Sequence, residues 1–222
     1  MCGRIEYFIT SKKQLEGRYK ATMVEGYTEQ GVVNARYNVP PSTNTPVLTS
    51  EESESIVLGH WGFVPSWSKG KQKEVINARA ETILEKPYFK GDIRKHRCLI
   101  PVTGFFEWHR SGARSKPYRF YTDDEIFSLA GVYSVHQDKS GTARPHFAIV
   151  TTTANSVMEK VHDRMPVIVA PKDEEHWLTA DTDEAITHLL RPYAAKHTHA
   201  YEISTLVNNP RNDSPEILKP VS

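Results

Sequence analysis

Only two cysteines, Cys2 and Cys98, occur among 222 residues. Two thiols are too few for a structural zinc site of four thiolates or for a disulfide framework. No run of about 18 apolar residues exists, so no segment reads as a transmembrane helix and no membrane partner is expected. The N-terminal Met1-Cys2-Gly3-Arg4 lacks the basic and then apolar pattern of a secretory signal. A cytoplasmic protein with free thiols is the expectation. Gly-rich phosphate loops, dinucleotide fingerprints, repeats and low-complexity linkers are also missing. Ten histidines are present, but no pair has the His-Glu-x-x-His spacing, and His197 and His199 read as surface residues. No metal and no cofactor is therefore expected. Charge of either sign is not in excess: 28 Lys and Arg stand against 27 Asp and Glu. That balance excludes a histone-like or acidic-tail protein.

What is present is a succession of short β-like runs. They cover residues 55–61, 97–102, 104–108, 117–121, 126–135, 146–152, 165–170 and 201–204. Ser11 is an N-cap residue for a short helix reaching Lys20. Residues 77–90 predict a helical turn or two, and 155–161, 174–178 and 183–190 predict short helices. Residues 32–45, with Tyr37-Asn38-Val39-Pro40-Pro41, must be extended or turning. Strands in succession predict one α+β domain over residues 1–222, with a largely antiparallel, barrel-like sheet core and flanking short helices.

Charge is unevenly placed. Residues 61–121 carry 13 Lys and Arg but 5 Asp and Glu. The same stretch holds Trp67, Phe105, Phe106 and Trp108. Cations interleaved with aromatics suit single-stranded nucleic acid, whose unpaired bases stack; they also suit a solvated surface over an ordinary core.

The two cysteines differ. Cys98 lies in an apolar run and reads as a small buried hydrophobe. Cys2 follows the initiator, and aminopeptidases remove Met1 before a small side chain. Trimming would leave an α-amine (pKa about 7.7–8.0) and a thiol (about 8.5) on one residue. Such an aminothiol condenses with an aldehyde to an imine, and the thiol then closes a thiazolidine ring.

Further motifs stand apart in sequence: Asn77-Ala78-Arg79-Ala80-Glu81-Thr82, Gly104-Phe105-Phe106-Glu107-Trp108, Thr151-Thr152-Thr153-Ala154-Asn155, His162-Asp163-Arg164-Met165-Pro166 and Val207-Asn208-Asn209-Pro210-Arg211-Asn212-Asp213. Together with the N-terminus and the Tyr37–Pro41 motif, they closely resemble the SRAP (SOS response-associated peptidase) family, from Cys2 to Asp213. Ile5 departs from the pattern, since relatives often carry an aromatic there.

The resemblance implies shielding of abasic sites in single-stranded DNA or at single-strand/double-strand junctions, by a monomer. Cys2 would supply amine and thiol to the open-chain sugar aldehyde. Glu107 would be the catalytic acid, His162 the catalytic histidine, and Asn77 the residue orienting sugar and N-terminus. Gly3, Arg4, Asn38, Pro40, Trp67, Arg79, Trp108, Thr151 and Arg164 would contact DNA. Among these, Arg4, Arg79 and Arg164 would take phosphates, and Trp67 with the Pro40–Pro41 turn would wedge against flanking bases.

Two other readings use the same residues. Cys2, His162 and Asn77 can be drawn as an N-terminal-nucleophile cysteine peptidase, with removal of Met1 as a self-processing activity. A non-covalent reader of modified bases would need no trimmed Cys2.

Overall fold

The computed structural model describes residues 2–9, 11–24, 35–68, 72–111, 114–137 and 141–221. In chain order the strands are β1 (Ile5–Tyr7), β2 (Thr22–Met23), β3 (Arg36–Val39), β4 (Asn44–Thr49), β5 (Ser55–Trp61), β6 (Asn77–Arg79) and β7 (Arg97–Val102). They continue with β8 (Gly104–Ser111), β9 (Arg114–Thr122), β10 (Phe127–Gln137), β11 (Ala143–Thr153), β12 (Arg164–Pro166), β13 (Ile168–Val169) and β14 (Thr198–Glu202). The helices are α1 (Lys12–Tyr19), α2 (Glu174–Thr179) and α3 (Asp183–Leu189).

Five strands close into a barrel. β11, β10, β7, β4 and β5 pair antiparallel in that order, and β5 returns to β11 in parallel. The seam is short: His60 lies opposite His146, and Trp61 opposite Phe147. Trp61 stacks on Phe147 with ring centroids 6.4 Å apart. Its indole N–H reaches the Ile76 carbonyl at 3.0 Å, which satisfies the one polar atom of a fully buried side chain. The two seam histidines lie ring to ring at 4.7 Å. Burial first, and then the neighbouring His60 and His136, pull the His146 pKa down to about 4.

The barrel interior is filled by β-branched and aromatic side chains, and it depends on glycine where strands approach closely. A Cβ on Gly131 would sit 2.6 Å from the Cys98 Sγ and 2.6 Å from the Ile100 Cδ1. Cys98 is fully buried and free, as expected for a small hydrophobe.

A second, five-stranded sheet runs β14, β9, β8, β1, β3. Phe105 and Phe120, cross-strand partners on β8 and β9, stack at 5.3 Å in its core. Glu6 on β1 is also fully buried. Arg119 donates to its Oε1 from Nε at 2.8 Å and from Nη2 at 2.6 Å. A Cβ on Gly104 would collide with that carboxylate, so glycine there gives the pair its room.

The architecture agrees with the expected α+β class and barrel-like core; local readings differ in instructive places. Ser11 caps α1 by accepting from Gln14 N at 3.2 Å, as expected. Residues 77–90 hold one of the helical turns expected there, preceded by an unexpected strand. Asn77–Arg79 is recruited as a strand on β11, and only Ala80–Thr82 turns as a 3-10 helix. Residues 155–161 keep one 3-10 turn, Met158–Lys160. The expected strand at 165–170 is two pieces, because Val167 crosses between neighbours. Its N–H bonds Val150 O on β11 at 2.8 Å, and its carbonyl takes Ala130 N on β10 at 2.9 Å. The last strand lies earlier than expected, at Thr198–Glu202. Within 32–45, strands flank a Pro40–Thr43 turn, and residues 32–34 lie outside the described residues.

Candidate active site

The N-terminus is placed by strand pairing. β1 runs antiparallel to β8 with Ile5 opposite Phe105 and Glu6 opposite Gly104. Phe106 N bonds Arg4 O at 3.0 Å, so the same register carries Glu107 alongside Gly3. Alternation on β8 then separates two roles. Phe106 packs into a small cluster with Ile203, Val207 and Ile217, while Glu107 lies buried on the other face, next to Cys2. The Cys2 thiol is 1% exposed. Burial and then the Glu107 carboxylate push its pKa well above the usual thiol range, against an opposing contact to the Arg4 carbonyl at 3.9 Å.

Asn77 arrives from the barrel. The parallel pairing of β6 with β11 sets Asn77 beside Ile149 and Arg79 beside Thr151, and buries Ala78 between them. The Asn77 side-chain N–H donates to the Cys2 carbonyl at 2.9 Å. Its Oδ1 is buried and has no hydrogen-bond partner among the described residues. His162 comes from the loop before β12. The Arg164 backbone N–H approaches its Nδ1 at 3.0 Å, and the Asp163 carboxylate lies 3.0 Å from the same nitrogen.

These elements line one open groove of about 770 Å³, which gathers Gly3, Asn77, Glu107 and His162 with Arg79, Trp108, Arg110 and Arg164. All four expected catalytic positions therefore meet: Asn77, Glu107 and His162 line the groove, and Cys2 lies beneath it, tied to Asn77 and next to Glu107.

The expected DNA contacts divide. Gly3, Arg79 and Trp108 line the groove, and Arg79 is exposed. Asn38 and Thr151 are fully buried and have no surface for a strand to touch. The Asn38 amide donates to the Val207, Asn209 and Asn212 carbonyls, and its Oδ1 accepts from Arg4 Nη1 at 2.5 Å. Arg4 also reaches Val207 O at 2.8 Å and lies over the Trp108 ring at 5.9 Å. Thr151 gives its carbonyl to Arg164 at 2.6 Å. Arg164 lines the groove, but Glu81 takes its guanidinium at 2.5 and 2.9 Å. These four residues form the frame of the site. Pro40 and Trp67 are not among the groove's lining. Pro40 turns the chain by accepting from Thr43 Oγ1 at 2.7 Å, and Trp67 stands 58% exposed, its indole N–H 3.3 Å from Pro87 O.

Sequence reasoning missed Arg110, Glu81 and the C-terminal latch. Asp213 accepts from Tyr37 N at 2.5 Å and Asn38 N at 3.0 Å, and Asn208 accepts from the Trp108 indole at 2.7 Å. The basic surplus of residues 61–121 is also partly internal. Arg97 is buried against five main-chain carbonyls, and Arg119 is paired with Glu6.

The profile of the SOS response associated peptidase (SRAP) family matches residues 1–210. The chain belongs to the SRAP family. This SRAP chain is 36% identical over 227 residues to abasic site processing protein YoqW of Bacillus subtilis (strain 168), covering 99% of each. It is 30% identical to abasic site processing protein HMCES of Gallus gallus, over 88% of this chain and 69% of that one. In three dimensions it resembles a crystallised protein from Bacteroides thetaiotaomicron, with a TM-score of 0.88, 31% identity and full coverage of both chains. The SRAP relationship spans both the barrel and the sheet that carries β1, the two halves that build the groove.

Proposed function

We propose that this protein processes abasic sites in single-stranded DNA by forming a covalent thiazolidine with the sugar through Cys2, once Met1 has been removed. The names of the relatives support the abasic-site role. The observation that carries the chemistry is the convergence of the Cys2 backbone, Asn77, Glu107 and His162 on one open groove. The α-amine of Cys2 adds to the open-chain aldehyde, and loss of one water gives the imine. The thiol then adds across the C=N bond, its proton ending on nitrogen, and the five-membered ring closes with no further group lost.

Each neighbour has a part in these steps. Asn77 fixes the Cys2 carbonyl, and its buried Oδ1 has no partner among the described residues and can accept from an amine placed beside it. The Cys2 thiol is held protonated by burial and by Glu107, so ring closure needs a base beside it, and Glu107 is that group. His162 lines the groove and can hand a proton to the departing hydroxyl. Arg79 and Arg110 line the groove for phosphates, and Trp108 offers a stacking face.

The test is intact mass spectrometry of the protein incubated with an oligonucleotide carrying one abasic site. The expected species lacks Met1 and carries one oligonucleotide less one water. Absence of an adduct, or an equal adduct from Cys2→Ala, would overturn the reading.

A further inference from the structure

The barrel seam brings together a second set of chemically distinctive side chains, away from the groove. His60 on β5 and His146 on β11 are direct partners in the parallel pairing, and Glu74 reaches the His60 Nε2 at 3.3 Å. One ligand atom from each of the three residues lies within 4.8 Å of the others. Around a tetrahedral ion with bonds of about 2.0–2.2 Å, such atoms stand about 3.3–3.5 Å apart. The set therefore needs to close by little more than about 1 Å, and Glu74, 42% exposed on its side chain, is free to move by that much.

Two independent features point to a ligand. The Nδ1 of His146 is buried, and its contact with the Gly62 backbone falls short of a hydrogen bond of normal geometry. Gly62 holds open the space in which the ligands meet: a Cβ there would lie 2.9 Å from the His60 Nε2 and would collide with the Glu74 carboxylate. Behind the set, His136 packs edge-on against His146 at 5.2 Å, with its Nε2 held 2.9 Å from the Val64 carbonyl. A cavity of about 620 Å³, lined in part by Glu74, His136 and His146, adjoins the set.

The geometry points to a binding site for a divalent first-row transition metal of the zinc class, held by His60, His146 and Glu74. Two imidazoles and one carboxylate suit Zn²⁺ and its neighbours, whereas Mg²⁺ and Ca²⁺ take oxygen ligands. The ion fastens the parallel seam that closes the barrel and ties to it the segment leading through Val75, which bridges Phe63, to Asn77. The sequence expectation of no metal rested on local spacing; here the ligands meet through strand pairing.

The test uses tag-free protein stripped with chelator and titrated calorimetrically with ZnCl₂, with Co²⁺ absorption as a reporter of the ligand field. One equivalent per chain is expected, retained by Cys2→Ser, which removes the other metal-binding aminothiol. Glu74→Gln, a surface change that leaves the fold intact, should weaken binding by at least about tenfold, and His60→Asn by more. Zn²⁺ about a hundredfold above its Kd should raise the thermal midpoint by about 5–10 °C. No stoichiometric binding by the folded chain, equal affinity in Glu74→Gln and His60→Asn, or binding lost in Cys2→Ser would each overturn the assignment.

Discussion

The side-chain amide of Asn77 donates to the carbonyl oxygen of Cys2 across 2.9 Å, joining β6, the short strand paired to β11 of the barrel, to the segment that leads into β1 of the other sheet. Asn77→Asp keeps the size but replaces the donor with an acceptor that repels that carbonyl. A misplacement of about 1 Å can cost about 10²-fold in rate. Single-turnover crosslinking to an abasic oligonucleotide should slow by about that factor. Affinity for the intact oligonucleotide, measured by fluorescence anisotropy, should change by less than about threefold.

Glu107→Gln should move two measurements in opposite directions. Removing the carboxylate takes away a charge that raises the Cys2 pKa, so iodoacetamide should alkylate Cys2 faster at a given pH. Crosslinking should fall by about 10²–10⁴-fold, since the base at ring closure is gone. Parallel slowing of both reactions would mean a packing defect.

Cys2→Ser retains the amine but loses ring closure. The durable adduct should disappear, and a borohydride-trappable imine with strand nicking by β-elimination should replace it. A residue added ahead of Cys2 should abolish both products, because the amine becomes an amide. Denaturing gels of labelled oligonucleotide read all three outcomes.

Arg164 is held by Glu81, whose carboxyl lies below the usual range, chiefly through the hydrogen bond from Arg164. The sign follows: a depressed carboxyl keeps Glu81 ionised below the pH at which a free glutamate takes up its proton, and the pair is lost only as pH falls through that lowered value. Intact single strands should therefore bind equally at about pH 5 and pH 8 as far as this pair decides it. Glu81→Gln frees one cation at the groove. It should tighten binding and steepen the slope of log K against log salt by about 0.7.

Asn38→Ala should act on stability. It removes a buried amide that bonds three carbonyls and Arg4, and should cost about 2–4 kcal/mol in urea unfolding. Arg79→Glu, an exposed change in the groove, should leave the unfolding midpoint alone and weaken DNA binding.

That Cys2, Asn77, Glu107 and His162 belong to one place was legible through the SRAP resemblance, because each sits in a short motif that can be recognised without the fold. The barrel class was legible because β7, β10 and β11 write their burial as continuous apolar runs. β6 was not legible within 77–90, where only a helical turn or two is predicted, because three residues carry too little pattern and only pairing with β11 makes them a strand. Asn38 and Arg164 were legible as important but not in role, because hydrogen-bond partners 169 and 83 residues away decide whether a polar side chain faces solvent or frames a site. The histidine seam was invisible for the same reason.

The latch formed by residues 207–213 also sets an order in time. Arg4 and Asn38 are held by carbonyls of Val207, Asn209 and Asn212, and Asp213 ties down the backbone of Tyr37 and Asn38. A growing chain has none of these until residues 207–213 have been synthesised. The Arg4 segment next to Cys2 thus lacks its partners for as long as that stretch is missing. An aminopeptidase acting on the nascent chain would meet the N-terminal segment before residues 207–213 close over Arg4.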